Sequence, residues 1–177
     1  MTEKIKILFL AANSSDDNRR RLEQEARDIR ERIRRSKYRD SFDLITQFAV
    51  RPGDLQEALL EHEPHIVHFS GRGTENHGFI LENDAGQPST LSEQVLTGLF
   101  RTLKDNIRII VFNACYTNRQ AAALAEIVDY AIGINESIEA DTAVIFSVAF
   151  YQALAYGRTV KEAFDLAITQ LMLEKAE

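Results

Sequence analysis

The one cysteine in the chain, Cys115, stands just past the carboxyl end of an apolar run at residues 107–113. A cysteine nucleophile needs a thiolate, a base within hydrogen-bond reach, and backbone N–H groups that hold an oxyanion. Position supplies part of this, because Cys115 falls between a strand end and a helix N-terminus, where the helix dipole favours a thiolate. The bland alternative is a small buried hydrophobe. A second distinctive segment, Ser70-Gly71-Arg72-Gly73, follows another apolar run, and its glycines let the backbone leave a sheet sharply. Candidate bases are few. His68 shares an alternating face with Arg72 four residues later, so at ~3.3 Å per residue it lies about 13 Å from that position and reads as a core histidine. His77 sits on the loop beyond the glycines and could fold back as a substitute base, whereas His62 and His65 fall at the other end of the strand and read as structural. A lone cysteine excludes an intrachain disulfide and a multi-cysteine zinc site, and no metal or cofactor is expected.

The elements that must position these residues alternate. Residues 5–11 form an apolar run broken only by Lys6 and ended by a polar loop at residues 13–18, as in a strand buried on both faces of a parallel sheet. Leu22, Ala26, Ile29 and Ile33 then place one apolar stripe on a helix over residues 18–36. Residues 42–50 read as a second strand, and Pro52 starts a helix whose inner face is Leu55, Ala58 and Leu59. Residues 65–70 are a third strand. Residues 78–86 suggest a small hairpin excursion, and Thr90 with Glu93 suggests a capping box before a helix that turns Leu91, Val95, Leu96, Leu99 and Leu103 inward. Residues 107–113 are the most strand-like run, residues 118–128 an Ala-rich helix, and residues 130–134 a fifth strand. Residues 141–156 are apolar nearly all round and read as a buried helix. Thr159 with Glu162 caps a last amphipathic helix through Leu171. Such alternation implies right-handed crossovers and a mostly parallel five- to six-stranded sheet with helices on both faces. Parallel sheets bind ligands beyond the carboxyl ends of their strands, so the segments at Ser70–Gly73 and Asn113–Cys115 are expected to converge.

At 177 residues, with an apolar fraction of 45%, 8 Gly and 3 Pro, the chain reads as one globular domain spanning residues 1–177 rather than a disordered or fibrous protein. Its net charge of −6 argues against a general nucleic-acid coat protein. The N-terminal run is too short and too charged for a signal peptide, and residues 143–151 fall far short of a membrane span, so a cytoplasmic protein with no membrane contact is expected. Other doubly wound functions fail on the loops. The first strand is followed by Asp16 and Asp17 instead of a glycine-rich phosphate cradle, the Lys-Ser/Thr pair of a P-loop is absent, and a phosphoacceptor receiver would want acids where Asn13 and Ser70 stand.

Taken together, Ile66-Val67-His68-Phe69-Ser70-Gly71-Arg72-Gly73 and, some forty residues later, Val111-Phe112-Asn113-Ala114-Cys115-Tyr116 resemble the paired signature of CHAT domains, the caspase-like cysteine peptidases related to separase. Supporting segments include Tyr38-Arg39-Asp40, Ala49-Val50-Arg51-Pro52, Ile132-Gly133 and Gly157-Arg158, so the similarity covers nearly the whole chain. The resemblance implies the three-layer α/β caspase-hemoglobinase fold. It also implies a dyad in which a histidine after the third strand activates a cysteine after the fourth, with backbone N–H groups as the oxyanion hole. Carried over, Cys115 is the nucleophile position, Gly73 and Cys115 supply the oxyanion N–H groups, and the histidine position is Arg72. A guanidinium stays protonated and has no lone pair with which to accept the cysteine proton, so Arg72 is not a general base. It could stabilise a thiolate by Coulomb attraction, yet it would not readily donate a proton to a departing amine.

Two readings follow. In the first the chain is a degenerate protease serving as a binding or regulatory module; in the second it is a cysteine endopeptidase cutting after a basic residue, or an inactivated variant of one. The acids Glu136, Glu139 and Asp141, near the site in such peptidases, would favour a basic side chain, although they also suit a helix N-terminus. Between Arg19 and Arg39 there are ten Lys or Arg against four Asp or Glu, on an otherwise acidic body. This basic helix could face an acidic partner or nucleic acid, or be a solvated helix with pairs such as Glu31 with Arg35. A protein or peptide partner is expected, and regulation is expected to come from a larger protein to which the domain is fused or bound.

Overall fold

The computed structural model describes residues 3–12 and 16–175, so part of the polar loop expected after the first strand lies outside the described residues. Five parallel strands form the central sheet: β1 (Ile5–Ala12), β2 (Phe42–Val50), β3 (Ile66–Ser70), and then two later ones. These are Ile109–Asn113 and Tyr130–Ile132, and the order across the sheet is β2, β1, β3, Ile109–Asn113, Tyr130–Ile132. The apolar runs sit at the centre, since β1, β3 and Ile109–Asn113 are buried almost throughout, while β2 is a half-exposed edge. An antiparallel trio, β4 (Gly73–Thr74), β5 (Gly78–Glu82) and β6 (Pro88–Thr90), forms the excursion expected after β3. With these counted, Ile109–Asn113 is β7 and Tyr130–Ile132 is β8.

Helices cover both faces. One side carries α1 (Asp16–Arg34), α5 (Ala140–Ala155) and α6 (Val160–Lys175); the other carries α2 (Pro52–His62), α3 (Glu93–Leu103) and α4 (Asn118–Leu124). The α1 stripe is the expected one: Leu22, Ala26, Ile29 and Ile33 are buried against Ile7, Phe9, Phe150 and Tyr151. So is the inner face of α2, with Pro52 in its first turn and Leu55, Ala58 and Leu59 buried. The three-layer α/β architecture therefore holds as expected, with five strands in the main sheet.

Three local expectations need correction. The α3 cap is Ser92, whose Oγ accepts the Val95 N–H at 3.2 Å, because Thr90 is committed to β6. Val95 consequently points outward at 54% exposure, and Phe100 joins Leu96 as the buried pair on that helix. The all-round apolar α5 is not fully buried; its outward residues Val144, Ile145, Val148 and Ala149 stay half-exposed between α1 and α6. Last, α6 turns only Ala163 and Ala167 fully inward, where small side chains let it pack closely on α5, and leaves Met172 and Leu173 about 60% exposed. Among the described residues no helix is long and apolar enough to cross a membrane.

Candidate active site

Parallel pairing sets the site. Ser70 and Asn113 are register partners at the carboxyl ends of β3 and β7, so the two distinctive segments leave the sheet side by side, as the sequence implied. Beyond Asn113 the chain turns at Tyr116, which holds φ +59, a left-handed conformation that a non-glycine residue adopts only under constraint. That turn presents Cys115, half-exposed, three residues before α4 begins. Thr117 locks it: its Oγ donates to Ala114 O at 2.8 Å and accepts the Ile134 N–H at 3.0 Å, while its own N–H reaches Ile134 O at 2.7 Å. The Cys115 sulfur lies against Ile138, accepting its N–H at 3.4 Å and facing its carbonyl at 3.6 Å.

The other wall comes from the β3 exit. A Cβ built on Gly73 would fall 1.8 Å from Cys115 O and 3.0 Å from Cys115 N, so only glycine allows this backbone to lie against that of Cys115. Gln120, buried on α4, fixes the excursion: its side chain accepts the Phe79 N–H at 2.7 Å and donates to Leu91 O at 2.6 Å. The Ile80 N–H in turn donates to Arg72 O at 3.1 Å. We expect Gly73→Ala to cost about 1–3 kcal/mol by overpacking this contact. By contrast Gly98→Ala, with open space around its Cβ in α3, should add about 0.5–1 kcal/mol; urea unfolding of both variants checks the pair.

A cavity of about 260 Å³ opens between these walls, lined by Arg21, Glu25, Ser70, Arg72, Gly73 and Cys115, with Asn113 and Ile138 behind them. The structure thus brings Cys115, Arg72 and Gly73 together. It does not bring in the others: His77 is exposed on the β4–β5 turn, and Glu136, Glu139 and Asp141 are exposed and outside the cavity lining. His65 accepts the Lys6 backbone N–H on Nδ1 at 3.0 Å, a structural role, and His62 faces Gln47.

Glu25 is the residue the sequence reading overlooked. It is 2% exposed and sits under the cavity with three donors, His68 Nε2 at 2.9 Å, Asn113 Nδ2 at 2.6 Å and Ser70 Oγ at 2.5 Å. His68 is fully buried, stacked on Phe9 at 5.0 Å between centroids, and its Nδ1 meets the Tyr151 hydroxyl at 2.9 Å. Burial, with the nearby Glu25 charge, raises the Tyr151 phenol well above its usual value of 10.0. A phenol that keeps its proton donates to Nδ1, which leaves the Nε2 proton for Glu25. Because the folded-state pKa is the higher one, the stability it contributes is present below pH 10.0 and is lost as pH rises beyond it. Wild type should therefore lose stability between pH 9 and 11 faster than Tyr151→Phe, measured by urea midpoints at each pH.

Fold and site define a class: a three-layer α/β domain with a half-exposed cysteine on the turn after the fourth sheet strand. A secreted C11 cysteine protease from Bacteroides thetaiotaomicron, solved with an irreversible peptide inhibitor, shares the fold with a TM-score of 0.68 over 92% of this chain and 57% of that one, at 11% identity. The CHAT domain family model matches residues 2–177, and the chain belongs to that family. Its curated relatives include a "Probable protease" of Gillisia limnaea, 27% identical over 155 residues, and a "Roc-COR-CHAT protease" of an unknown prokaryotic organism, 23% identical over 177. The matches cover 85% and 96% of this chain but only 27% and 17% of those relatives.

Proposed function

We propose that this CHAT domain is a degenerate cysteine peptidase that binds peptide segments and serves a regulatory role within, or beside, a larger protein. The single observation that carries this reading is the cavity around Cys115, which Arg72 lines and no histidine lines among the described residues. In the family's scheme Cys115 is the nucleophile, the Gly73 and Cys115 N–H groups hold the oxyanion, and position 72 supplies the base. A guanidinium fills the last role with neither a lone pair nor a proton it can give up. His68 does not replace it, because both of its ring nitrogens are engaged by Glu25 and Tyr151 beneath the sheet.

Glu25, rather than Glu136 or Asp141, is the acid that would meet a ligand side chain entering the cavity, and its charge favours Lys or Arg there. The length of the relatives, and the Roc-COR-CHAT composition of one of them, support a multidomain setting. The basic surface between Arg19 and Arg39 is then a candidate contact for an acidic partner, although several of its arginines are already paired, as Arg35 is with Glu31 at 3.1 Å. The protease names of the relatives favour a second reading, an active cysteine endopeptidase that cuts after a basic residue. A fluorogenic peptide pool with basic residues before the reporter separates the two: wild type leaves it uncut, whereas Cys115-dependent cutting by wild type would sink the degenerate reading.

A further inference from the structure

Two arginines, Arg72 and Arg21, line the cavity, and both are exposed. Neither has a carboxylate partner among the described residues, whereas Arg19 on the same helix as Arg21 pairs with Glu23 at 3.3 Å. Glu25, the buried acid of the cavity, forms no ion pair with either arginine and accepts instead from His68, Ser70 and Asn113. Arg72 also directly precedes Gly73, whose backbone lies against that of Cys115, so the two arginines and this backbone contact line the same cavity.

Those donors suit an anion. An internal amide carbonyl is neutral and exchanges its hydrogen bonds with water at little net gain, whereas a carboxylate takes charge-assisted, two-pronged bonds from a guanidinium that are roughly twice as strong. A peptide's terminal carboxylate has the shape and chain position of the carbonyl that a working peptidase would hold. We infer that the Cys115 cavity is a reader of free peptide C-termini: Arg72, with Arg21 beside it, binds the terminal carboxylate, and the last side chain enters the cavity above Glu25. This rests on the peptide-binding reading and names its ligand class, the product of cleavage by another peptidase.

The test uses fluorescein-labelled hexapeptides ending in Arg, otherwise randomised, made as free acids and as C-terminal amides and titrated into the protein by anisotropy. The acid form should bind at least about tenfold tighter than the amide. Arg72→Gln should equalise the two without changing the unfolding midpoint, since the side chain is exposed. Equal binding of acid and amide by wild type overturns this inference and leaves peptide binding standing. An acid preference that persists in Arg72→Gln also overturns it. Failure of both forms to bind, or to protect Cys115 from alkylation, overturns the peptide-binding reading as well.

Discussion

Replacing Arg72 by histidine is expected to create peptidase activity, and Cys115→Ala in the same background is expected to remove it. The expected gain over wild type is about 10²–10⁴-fold in kcat/KM on amide substrates, the usual worth of positioned acid–base catalysis. The step is specific. A neutral imidazole takes the Cys115 thiol proton, the sulfur bonds to the scissile carbonyl carbon, and the oxyanion rests on the Gly73 and Cys115 N–H groups. The imidazolium then gives its proton to the departing amine, and water hydrolyses the thioester. Everything except the imidazole has a place in the chain: the sharp turn at Tyr116, the glycine-only contact at Gly73, and the Gln120 clamp that holds the excursion. Position 72 is exposed at the cavity, so a smaller side chain fits without repacking. A variant that folds with the wild-type midpoint and still cuts no faster than wild type would mean that the base does not belong at position 72.

The second large effect falls on stability. Glu25→Ala removes the acceptor of three buried donors, those of His68, Ser70 and Asn113; Asn113 Nδ2 keeps Ala143 O at 3.2 Å, while His68 Nε2 and Ser70 Oγ are left unpaired. Each unsatisfied buried group costs about 1–3 kcal/mol, so stranding these donors costs about 3–5 kcal/mol in all. Against a typical total of about 5–15 kcal/mol this is a large fraction. With a slope of about 2 kcal/mol/M the urea midpoint should fall by about 1.5–2.5 M. Glu25→Gln keeps the shape and one acceptor and should fall by less than half as much. If Glu25→Ala shifted the midpoint no more than a surface substitution does, the carboxylate would not be holding the two strand ends to α1.

Much of this was legible in the residues. The continuous apolar runs of β1, β3 and β7 could only be strands buried on both faces, and that placed Ser70 and Asn113 at one sheet edge before any coordinates. Glu25 was legible too, yet passed over: it lies three residues after Leu22 and four before Ile29, inside the buried stripe, but the ten cations around it made the helix read as a basic surface. Ser92 and Thr90 are both good caps, and the choice between them depended on how far β6 extends, which local chemistry does not determine. The outward face of α5 reads as buried in the sequence because composition reports hydrophobicity but not what is packed against it. Sequence proximity suggests His77 near the site and the family resemblance suggests Glu136, whereas the turn at residues 74–77 and the loop before α5 leave both exposed.

The claim that Arg72 removes proton transfer, while leaving a usable sulfur, is tested most directly by pairing an amide with an ester. An aryl ester expels a phenolate that needs no proton, whereas the matched peptide amide must have its leaving amine protonated. Wild type and Arg72→His are compared on both substrates, with Cys115→Ala as the blank. The account predicts that wild type cuts both substrates more slowly than Arg72→His, and that the amide loses at least about tenfold more than the ester, because only its leaving group needs a proton. Wild-type, Cys115-dependent amide cleavage at a rate close to that of Arg72→His would contradict it.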